Sequence, residues 1–379
     1  MFGIGKPELR AIEKSIAMNH LTRFQGGTKG YLARFERKLA AKIGVEHVLA
    51  VNSGTSALIS ALVALGVGPG DEVLVSAYTW ISTPLAPMLL GAVPVLVEVD
   101  ETLTMCPLDL ERKINKRTKA IMPIHMCNLP CDMDRIMALA AQYNIPVVED
   151  ACQAVGGWYK GKRLGSFGAI NAFSFNSYKN ISCGEGGAIL TNDPLLFDRA
   201  RLYHDAGTFV QSYDTRVQIP HFAGQDYRAS EIDGAMLYEQ LKRLDPGMEK
   251  WRERRRLAAA ILEAGGLKLA PHNDVGSAVT LAIQFADVAE AQEYAARHRI
   301  SRFIDSGRHV YTNWEPLVQR QAYRDDVNPL LTPLGLKQRY DEKGAPQTLD
   351  ILRRTCNVTP VWNMPRRELE KYYLKLTEK

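Results

Sequence analysis

Two residues that follow predicted strands, Asp150 and Lys179, could do chemistry together. Asp150 ends the apolar segment 145–148 and Glu149, a pattern that predicts a buried strand. Lys179 lies at the next strand-to-loop edge, before a glycine-rich turn at 184–187. A lysine amine can form a Schiff base with an aldehyde, and a carboxylate can keep a pyridine nitrogen protonated. A pyridoxal 5'-phosphate (PLP) enzyme needs this pair, so we predict PLP as the cofactor and both residues as catalytic.

A phosphate site is predicted where an earlier strand passes into a helix. Gly54 would let the backbone approach a ligand, and Thr55 and Ser56 would offer hydroxyl and N–H groups at a helix N-terminus. An ordinary helix cap is the competing interpretation. Ser174, shortly before Lys179, could reach the same phosphate.

Three more residues are candidates with open alternatives. Trp80 follows another strand at the same predicted sheet edge and could stack on a planar cofactor, or it could be a core tryptophan. Gln153 could bond the phenolic oxygen of the cofactor, or lie at the surface. Glu185 is either a turn acceptor or a substrate contact.

Composition indicates a globular protein without a nucleic-acid or membrane partner. The 379 residues are 46% hydrophobic and 23% charged, with a net charge of +5. The basic run 250–256 is flanked by glutamates and lacks interleaved aromatics, which favours a solvated helix face over a nucleic-acid patch. The six cysteines form no disulfide or zinc pattern, so we expect no metal. Without a leader or a membrane-length apolar run, we expect a cytoplasmic protein.

Strand and helix patterns alternate through the first part of the chain. This alternation predicts an α/β protein with a mostly parallel sheet wrapped by helices, and ligands in such sheets bind beyond the carboxyl ends of the strands. The first helix, at 8–18, carries Leu9, Ile12 and Ile16 at helical spacing. The segment 231–256 is helix-like but is interrupted at Asp245-Pro246-Gly247. We therefore predict a large domain over 1–245 and a smaller α+β domain over 246–379.

Taken together, these motifs resemble those of the DegT-type sugar aminotransferases, PLP enzymes of the aspartate aminotransferase fold (fold type I). The resemblance runs nearly end to end and lies in 5–8, 53–58, 68–73, 118–121, 149–154 and 174–187. It implies a seven-stranded, mostly parallel sheet in the large domain. The roles that it implies are a Schiff base on Lys179, a ring-nitrogen contact by Asp150, stacking by Trp80, a phenolate contact by Gln153, and phosphate contacts by Thr55, Ser56 and Ser174.

The resemblance also implies a homodimer with the active site at the subunit interface, where the second subunit supplies an asparagine to the phosphate. Asp226 stands at that position in this chain. A carboxylate would repel the phosphate, so we expect Asp226 to turn away and Gln225 to replace it. A second departure is Met126-Cys127-Asn128, where the family commonly has an aromatic residue and a glycine.

The implied reaction is the transfer of an amino group from glutamate or glutamine to a keto or aldehydo sugar. The expected acceptor is a nucleotide-linked keto sugar. An aminotransferase that forms 8-amino-3,8-dideoxy-octulosonate, a lipopolysaccharide sugar, is the main alternative. A cyclitol (inosose) aminotransferase and a non-catalytic PLP-binding regulator are further ones. Glu185, Arg228, His309 and Tyr311 are the candidate substrate contacts.

Overall fold

The computed structural model describes residues 3–207, 219–360 and 364–378. Its helices are α1 (Lys6–Ala17), α2 (Arg23–Gly26), α3 (Tyr31–Ile43), α4 (Gly54–Ala64), α5 (Ser82–Leu89), α6 (Pro107–Lys113), α7 (Met133–Tyr143), α8 (Pro194–His204), α9 (Glu231–Leu241), α10 (Leu244–Ala264), α11 (Val288–His298), α12 (Glu315–Val318), α13 (Pro346–Arg353) and α14 (Arg366–Leu376). Its strands are β1 (His47–Val51), β2 (Glu72–Ser76), β3 (Val93–Val97), β4 (Thr118–Met122), β5 (Val148–Asp150), β6 (Trp158–Tyr159), β7 (Lys162–Arg163), β8 (Ile170–Ser174), β9 (Gly187–Thr191), β10 (Ala282–Gln284) and β11 (Thr355–Asn357).

Seven strands form the central sheet, in the order β3-β2-β4-β5-β8-β9-β1. The strands β3, β2 and β4 are parallel, as are β5 and β8. Parallel bridges from Ile121 to Val147 and from Ile124 to Asp150 join these two groups. Only β9 runs antiparallel to its neighbours β8 and β1 among these strands. The predicted α/β fold with a mostly parallel sheet is confirmed.

Alternate residues of each strand enter two different cores because successive side chains point to opposite faces of a sheet. In β2, Val73 and Val75 pack in the core on one face, together with α4 and α5. Leu74 packs in the core on the other face, together with α3, α7 and α9. Both faces are therefore covered by helices, as parallel sheets require.

The part of the chain after residue 245 contributes to more than one core. Leu281, Ile283 and Tyr373 belong to a smaller cluster formed around the antiparallel pair β10–β11. Tyr311 and Trp314 instead join the core on the α4 side of the large sheet. The two-domain boundary at 245 stays a prediction.

The helical stretch 231–256 breaks at a different place from the one that its sequence indicates. Helix α9 ends at Leu241 and α10 begins at Leu244, so Pro246 falls in the first turn of a new helix. Proline fits there, because the N–H groups of the first turn have no partner within a helix.

None of the helices within the described ranges is both long and apolar enough to cross a membrane. The same ranges contain no group of three or more His, Cys, Asp or Glu side chains placed to hold a metal ion.

Candidate active site

A cavity of about 710 Å³ opens at the carboxyl ends of the parallel strands. It collects residues from the ends of β4, β5 and β8, from the start of α4 and from the segment after β2. The sequence-predicted residues that line it are Gly54, Thr55, Trp80, Asp150, Gln153, Ser174, Lys179, Glu185 and His309.

The N-terminus of α4 forms one end of this cavity. Ser53 caps the helix, since its Oγ accepts a hydrogen bond from the backbone N–H of Ser56 at 3.0 Å. Gly54 begins the helix against β8, and a Cβ atom on residue 54 would lie 2.7 Å from the Cβ of Ser174. The backbone amides of the first turn and the Ser174 hydroxyl therefore surround a space at a positive helix end, which fits a phosphate.

The hydroxyls at the start of α4 differ in their orientation. Thr55 lines the cavity, and its Oγ1 donates to the Oγ of Ser82 at 2.9 Å. Ser56 lies outside the cavity lining, because its side chain is buried and its Oγ donates to the Oδ1 of Asn52 at 2.6 Å. A phosphate contact by Ser56 stays a prediction, and its side chain is already engaged.

Asp150 is a buried carboxylate whose two oxygens both accept hydrogen bonds. Its Oδ2 accepts from the Oγ1 of Thr83 at 2.8 Å, and its Oδ1 accepts from the backbone N–H of Cys152 at 3.1 Å. Its backbone is also fixed, because the Asp150 N–H donates a hydrogen bond to the carbonyl oxygen of Pro123, just after β4, at 2.9 Å. The side chain is thus held in one position at the wall of the cavity.

Lys179 lies in the loop between β8 and β9 and faces the same cavity. Burial raises the pKa of the Cys152 thiol, the negative charge of Asp150 raises it further, and the positive charge of Lys179 lowers it. Burial also raises the pKa of Cys127 to about 11, and Lys179 again opposes this shift. The Cys152 thiol therefore lies near both charges, and Lys179 and Asp150 line the same cavity.

Gln153 has its amide orientation fixed by the backbone. Its Oε1 accepts from the backbone N–H of Cys127 at 3.1 Å. The Nε2 group is consequently the part of Gln153 that can donate to a ligand in the cavity.

Trp80 and His309 form a tilted ring pair across the cavity mouth, with centroids 5.2 Å apart. Trp80 is 43% exposed, so one face of its indole remains open to a planar ligand. The Nδ1–H of His309 donates to Ser306 O at 2.9 Å, which leaves Nε2 as an acceptor. Burial lowers the pKa of His309, a hydrogen bond to Ser306 opposes this, and the charge of Lys179 lowers it further, so the ring is neutral at neutral pH.

Besides Ser56, three predicted residues are not brought into the cavity of this chain. Tyr311 is fully buried, and its hydroxyl accepts from the backbone N–H of Ala345 at 3.0 Å. Arg228 pairs with Asp205 at 2.5 Å and also with Asp226. Gln225 is exposed next to this cluster. The site roles of these three residues stay predictions. The carboxylate of Asp226 forms an ion pair with Arg228.

The cavity also contains polar residues that were not among the predicted site residues. They are Thr79, Ser82, Thr83, Asn128, Asn176, Asn180, Thr280, Asn357 and Thr359. Proximity in the chain to Lys179 and to Trp80 could have pointed to Asn180 and Thr83. Thr280, Asn357 and Thr359 come from a distant part of the chain and have no local signal.

A buried pair behind the cavity holds the end of β5. Glu149 and His125 are both inaccessible, and the His125 Nε2 lies 2.9 Å from the Glu149 Oε1. Glu149 also accepts from the backbone N–H groups of Gly165 at 2.5 Å and Phe167 at 2.8 Å. Glu149 therefore points away from the cavity while Asp150 points into it, as alternation along a strand requires.

The arrangement fits PLP. The α4 N-terminus and Ser174 would hold the phosphate, Asp150 the ring nitrogen, and Lys179 the aldehyde carbon. When bound there, the cofactor supplies an electrophilic carbon and an electron sink for proton removal next to an amine.

Comparisons with known proteins agree with this geometry. The model of the DegT/DnrJ/EryC1/StrS aminotransferase family matches residues 5–332. GDP-perosamine synthase of Escherichia coli O157:H7 is 39% identical over 250 residues, which cover 65% of this chain and 68% of that protein. GDP-perosamine synthase of Caulobacter vibrioides is 40% identical over 244 residues, covering 64% of this chain and 65% of that protein. The chain thus spans about two thirds of the length of these curated relatives.

A solved structure of an aminotransferase-like fold resembles this chain over nearly its whole length. The structure of S. venezuelae DesV in complex with a ketimine intermediate superposes with a TM-score of 0.75 and 30% identity, covering 98% of this chain and 94% of that one. Together with the family match, this confirms the predicted fold type and PLP as the cofactor. The chain belongs to the DegT/DnrJ/EryC1/StrS aminotransferase family and is a PLP-dependent aminotransferase.

Proposed function

We propose that this enzyme transfers an amino group from glutamate or glutamine to a nucleotide-linked keto sugar. The observation that carries the proposal is that Lys179 and Asp150 face one cavity, which has the N-terminus of α4 at one end. The two GDP-perosamine synthases support a nucleotide-linked sugar with an amino group as the product. We further propose that the aminated sugar serves the synthesis of a surface polysaccharide, such as lipopolysaccharide.

The polar wall of the cavity supports a sugar as the acceptor. Asn128, Asn180 and Asn357 carry amides, and Thr280 and Thr359 carry hydroxyls, all of them without charge. Neutral donors and acceptors match the hydroxyl groups of a sugar. The Asn357 Oδ1 accepts from the N–H of Thr359 at 3.0 Å and from its Oγ1 at 2.7 Å, so its Nδ2 group is the one presented to a ligand.

Lys179 would carry the proton in both half-reactions. Its Nζ would remove the proton from the α-carbon of the amino donor as a base and then give a proton back as an acid. With PLP bound, Asp150 would contact the ring nitrogen, Trp80 would cover the ring, and Gln153 would donate to the phenolic oxygen. The acceptor is aminated by the same proton transfers in reverse.

We also propose a homodimer that shares its active sites. Two of the apolar residues of α1 do not face the core of the chain. Leu9 and Ile16 are 55% and 57% exposed, whereas Glu8 and Ser15 on the opposite side are buried. Tyr178, next to the catalytic lysine, is 90% exposed. A second copy would cover these side chains and bring Gln225 to the phosphate of the neighbouring site.

A cytoplasmic location fits the thiols. All six cysteines are free. Free thiols, several of them buried, are typical of proteins kept in a reducing compartment.

One screen tests the acceptor. The enzyme is converted with glutamate or glutamine to the amino form of the cofactor, and the return of the yellow colour is then measured with each candidate. The candidates are the keto precursor of GDP-perosamine, other nucleotide-linked keto sugars, the C8 aldehyde of 3-deoxy-octulosonate, and an inosose. We expect the colour to return with a nucleotide-linked sugar. If the colour returns only with the octulosonate aldehyde or only with the inosose, that compound is the acceptor instead. If no amino donor changes the colour, the result favours a PLP-binding regulator.

The dimer is tested by mixing subunits. Light scattering gives the mass in solution. If the sites are shared, Lys179→Ala chains and Gln225→Glu chains regain activity when mixed, because one of the two hybrid sites has both residues. A monomeric mass, or no regain of activity on mixing, would contradict shared sites.

A further inference from the structure

We propose that the buried hydroxyls of Thr79 and Thr83 form a relay that keeps the proton shared by Asp150 and the cofactor on the ring nitrogen. Thr79 and Thr83 would then be positioning residues for the reaction. This inference rests on PLP binding and does not depend on which sugar is aminated.

The relay consists of two short contacts within a dry part of the cavity wall. The Oγ1 of Thr83 donates to the Oδ2 of Asp150 at 2.8 Å, and the Oγ1 atoms of Thr79 and Thr83 lie 2.7 Å apart. Thr79 and Thr83 are each 1% exposed, and Asp150 is 3% exposed. Water therefore does not compete for these contacts.

The direction of the relay follows from the number of protons. A threonine hydroxyl has one proton to donate. Thr83 gives its proton to the Asp150 carboxylate, so its oxygen can only accept from Thr79. The alternative acceptor for Thr79, the carbonyl oxygen of Trp80, is 3.5 Å away and is a much poorer partner.

The backbone holds both threonines in register with the site. The backbone N–H of Thr79 donates to His309 O at 2.9 Å, and that of Thr83 donates to Trp80 O at 3.0 Å. The relay is thus built on the same segment that presents Trp80 to the ring. A single short stretch of chain would place the stacking residue and support the carboxylate.

The chemical effect has a defined sign. Donors to a carboxylate stabilise its ionised form, and donors in a chain strengthen one another. Asp150 and the ring nitrogen share one proton, so each hydrogen bond that Asp150 accepts favours the state with the proton on nitrogen. A protonated ring is the better electron sink. Without the relay, the proton would shift towards Asp150 and proton removal by Lys179 would slow.

The test places an NMR label on the atom in question. Wild-type enzyme, Thr83→Val, Thr83→Ser and Thr79→Val are loaded with PLP labelled with ¹⁵N in the ring, and the ¹⁵N resonance and the PLP content are measured. We expect Thr83→Val to bind PLP at Lys179 but to move the resonance towards that of unprotonated pyridine. Thr83→Ser keeps the hydroxyl and should keep the wild-type resonance. The half-reaction of Thr83→Val with glutamate should slow about tenfold, the effect of losing one hydrogen bond to a charged group.

Thr79→Val provides a second test that does not depend on whether Thr83→Val folds. It leaves the direct contact to Asp150 in place, so its resonance should move in the same direction by a smaller amount. An unchanged resonance in Thr83→Val would overturn the proposal, and where that variant does not fold, an unchanged resonance in Thr79→Val would do so. Failure of the wild-type enzyme to hold labelled PLP would instead count against the assigned cofactor site.

Discussion

Gly54 and Ser174 are in contact at the end of the cavity where we propose that the phosphate binds, at a distance that only glycine permits. A Cβ on residue 54 would lie 2.7 Å from the Cβ of Ser174 and 3.1 Å from the Sγ of Cys152. The Cβ of Ser174 is fixed by the backbone and cannot rotate away, although the Sγ of Cys152 can move by rotation about its Cα–Cβ bond. The close approach is what joins the α4 N-terminus to the end of β8.

Gly54→Ala should therefore weaken PLP binding by at least about tenfold, which corresponds to about 1.4 kcal/mol. The methyl group would push α4 away from β8 and widen the phosphate site. The measurement is the dissociation constant of PLP, followed by the fluorescence of the protein. Gly68→Ala is the matched control, because a Cβ there meets no atom within 4 Å. Equal affinities in the two variants would show that the contact does not shape the site.

Asp150→Asn should keep PLP attached but slow the reaction with glutamate by about 100-fold or more, the usual cost of losing a preorganised charge at the reacting centre. An amide cannot balance the positive charge of the ring nitrogen. Single-turnover kinetics measures this rate. Asp134→Asn serves as the control, because its carboxylate is exposed and pairs only at the surface with Lys160. A rate within twofold of wild type in Asp150→Asn would contradict the role of this carboxylate.

Asn357→Ala should raise KM for the keto sugar about three- to tenfold, the value of one neutral hydrogen bond. The half-reaction with the amino donor provides an internal control and should be nearly unaffected. Steady-state kinetics with both substrates separates the two effects. If only the donor half-reaction responds, Asn357 contacts the amino donor instead of the sugar.

Two histidines, His204 and His272, should make the folded protein less stable in acid, because burial keeps them neutral. Burial lowers the pKa of His204 to about 3, and the charge of Arg23 contributes. Burial lowers the pKa of His272 to about 4, and the charge of Arg255 contributes. The unfolded chain binds protons on these rings below about pH 6.5, whereas the folded chain does not. The free energy of unfolding should therefore fall as the pH is lowered, by about 1.4 kcal/mol per pH unit for each histidine. This slope should hold between about pH 6 and 5 for both rings, and on to about pH 4 for His204.

His204→Gln isolates one of these contributions. Denaturant unfolding at several pH values should give a dependence that is shallower by about 1.4 kcal/mol per pH unit. The carboxylates contribute equally in both proteins, so the difference belongs to His204. An unchanged slope would mean that this ring takes up its proton without unfolding.

The sequence predicted the parts of the site that are local to strand ends. Asp150 ends β5 and Lys179 lies in the loop after β8, and parallel strands bring such positions to one edge. The orientation of Ser56 could not be predicted, because it depends on whether a hydroxyl turns towards Asn52 or towards the cavity. Asn357 and Thr280 were missed, because long-range packing of the C-terminal part brings them to the cavity and no local pattern marks them. The apolar spacing in α1 correctly predicted a helix but not which side faces the core.

Borohydride reduction of the PLP-loaded enzyme, followed by mapping of the modified peptide, tests the central claim most directly. Reduction makes the bond between cofactor and lysine permanent, so mass spectrometry identifies the residue. We predict the pyridoxyl group on Lys179, and no modification in Lys179→Arg, which keeps a charged side chain but cannot form the bond. A pyridoxyl group on another lysine, or an unmodified Lys179 in the yellow enzyme, would contradict it.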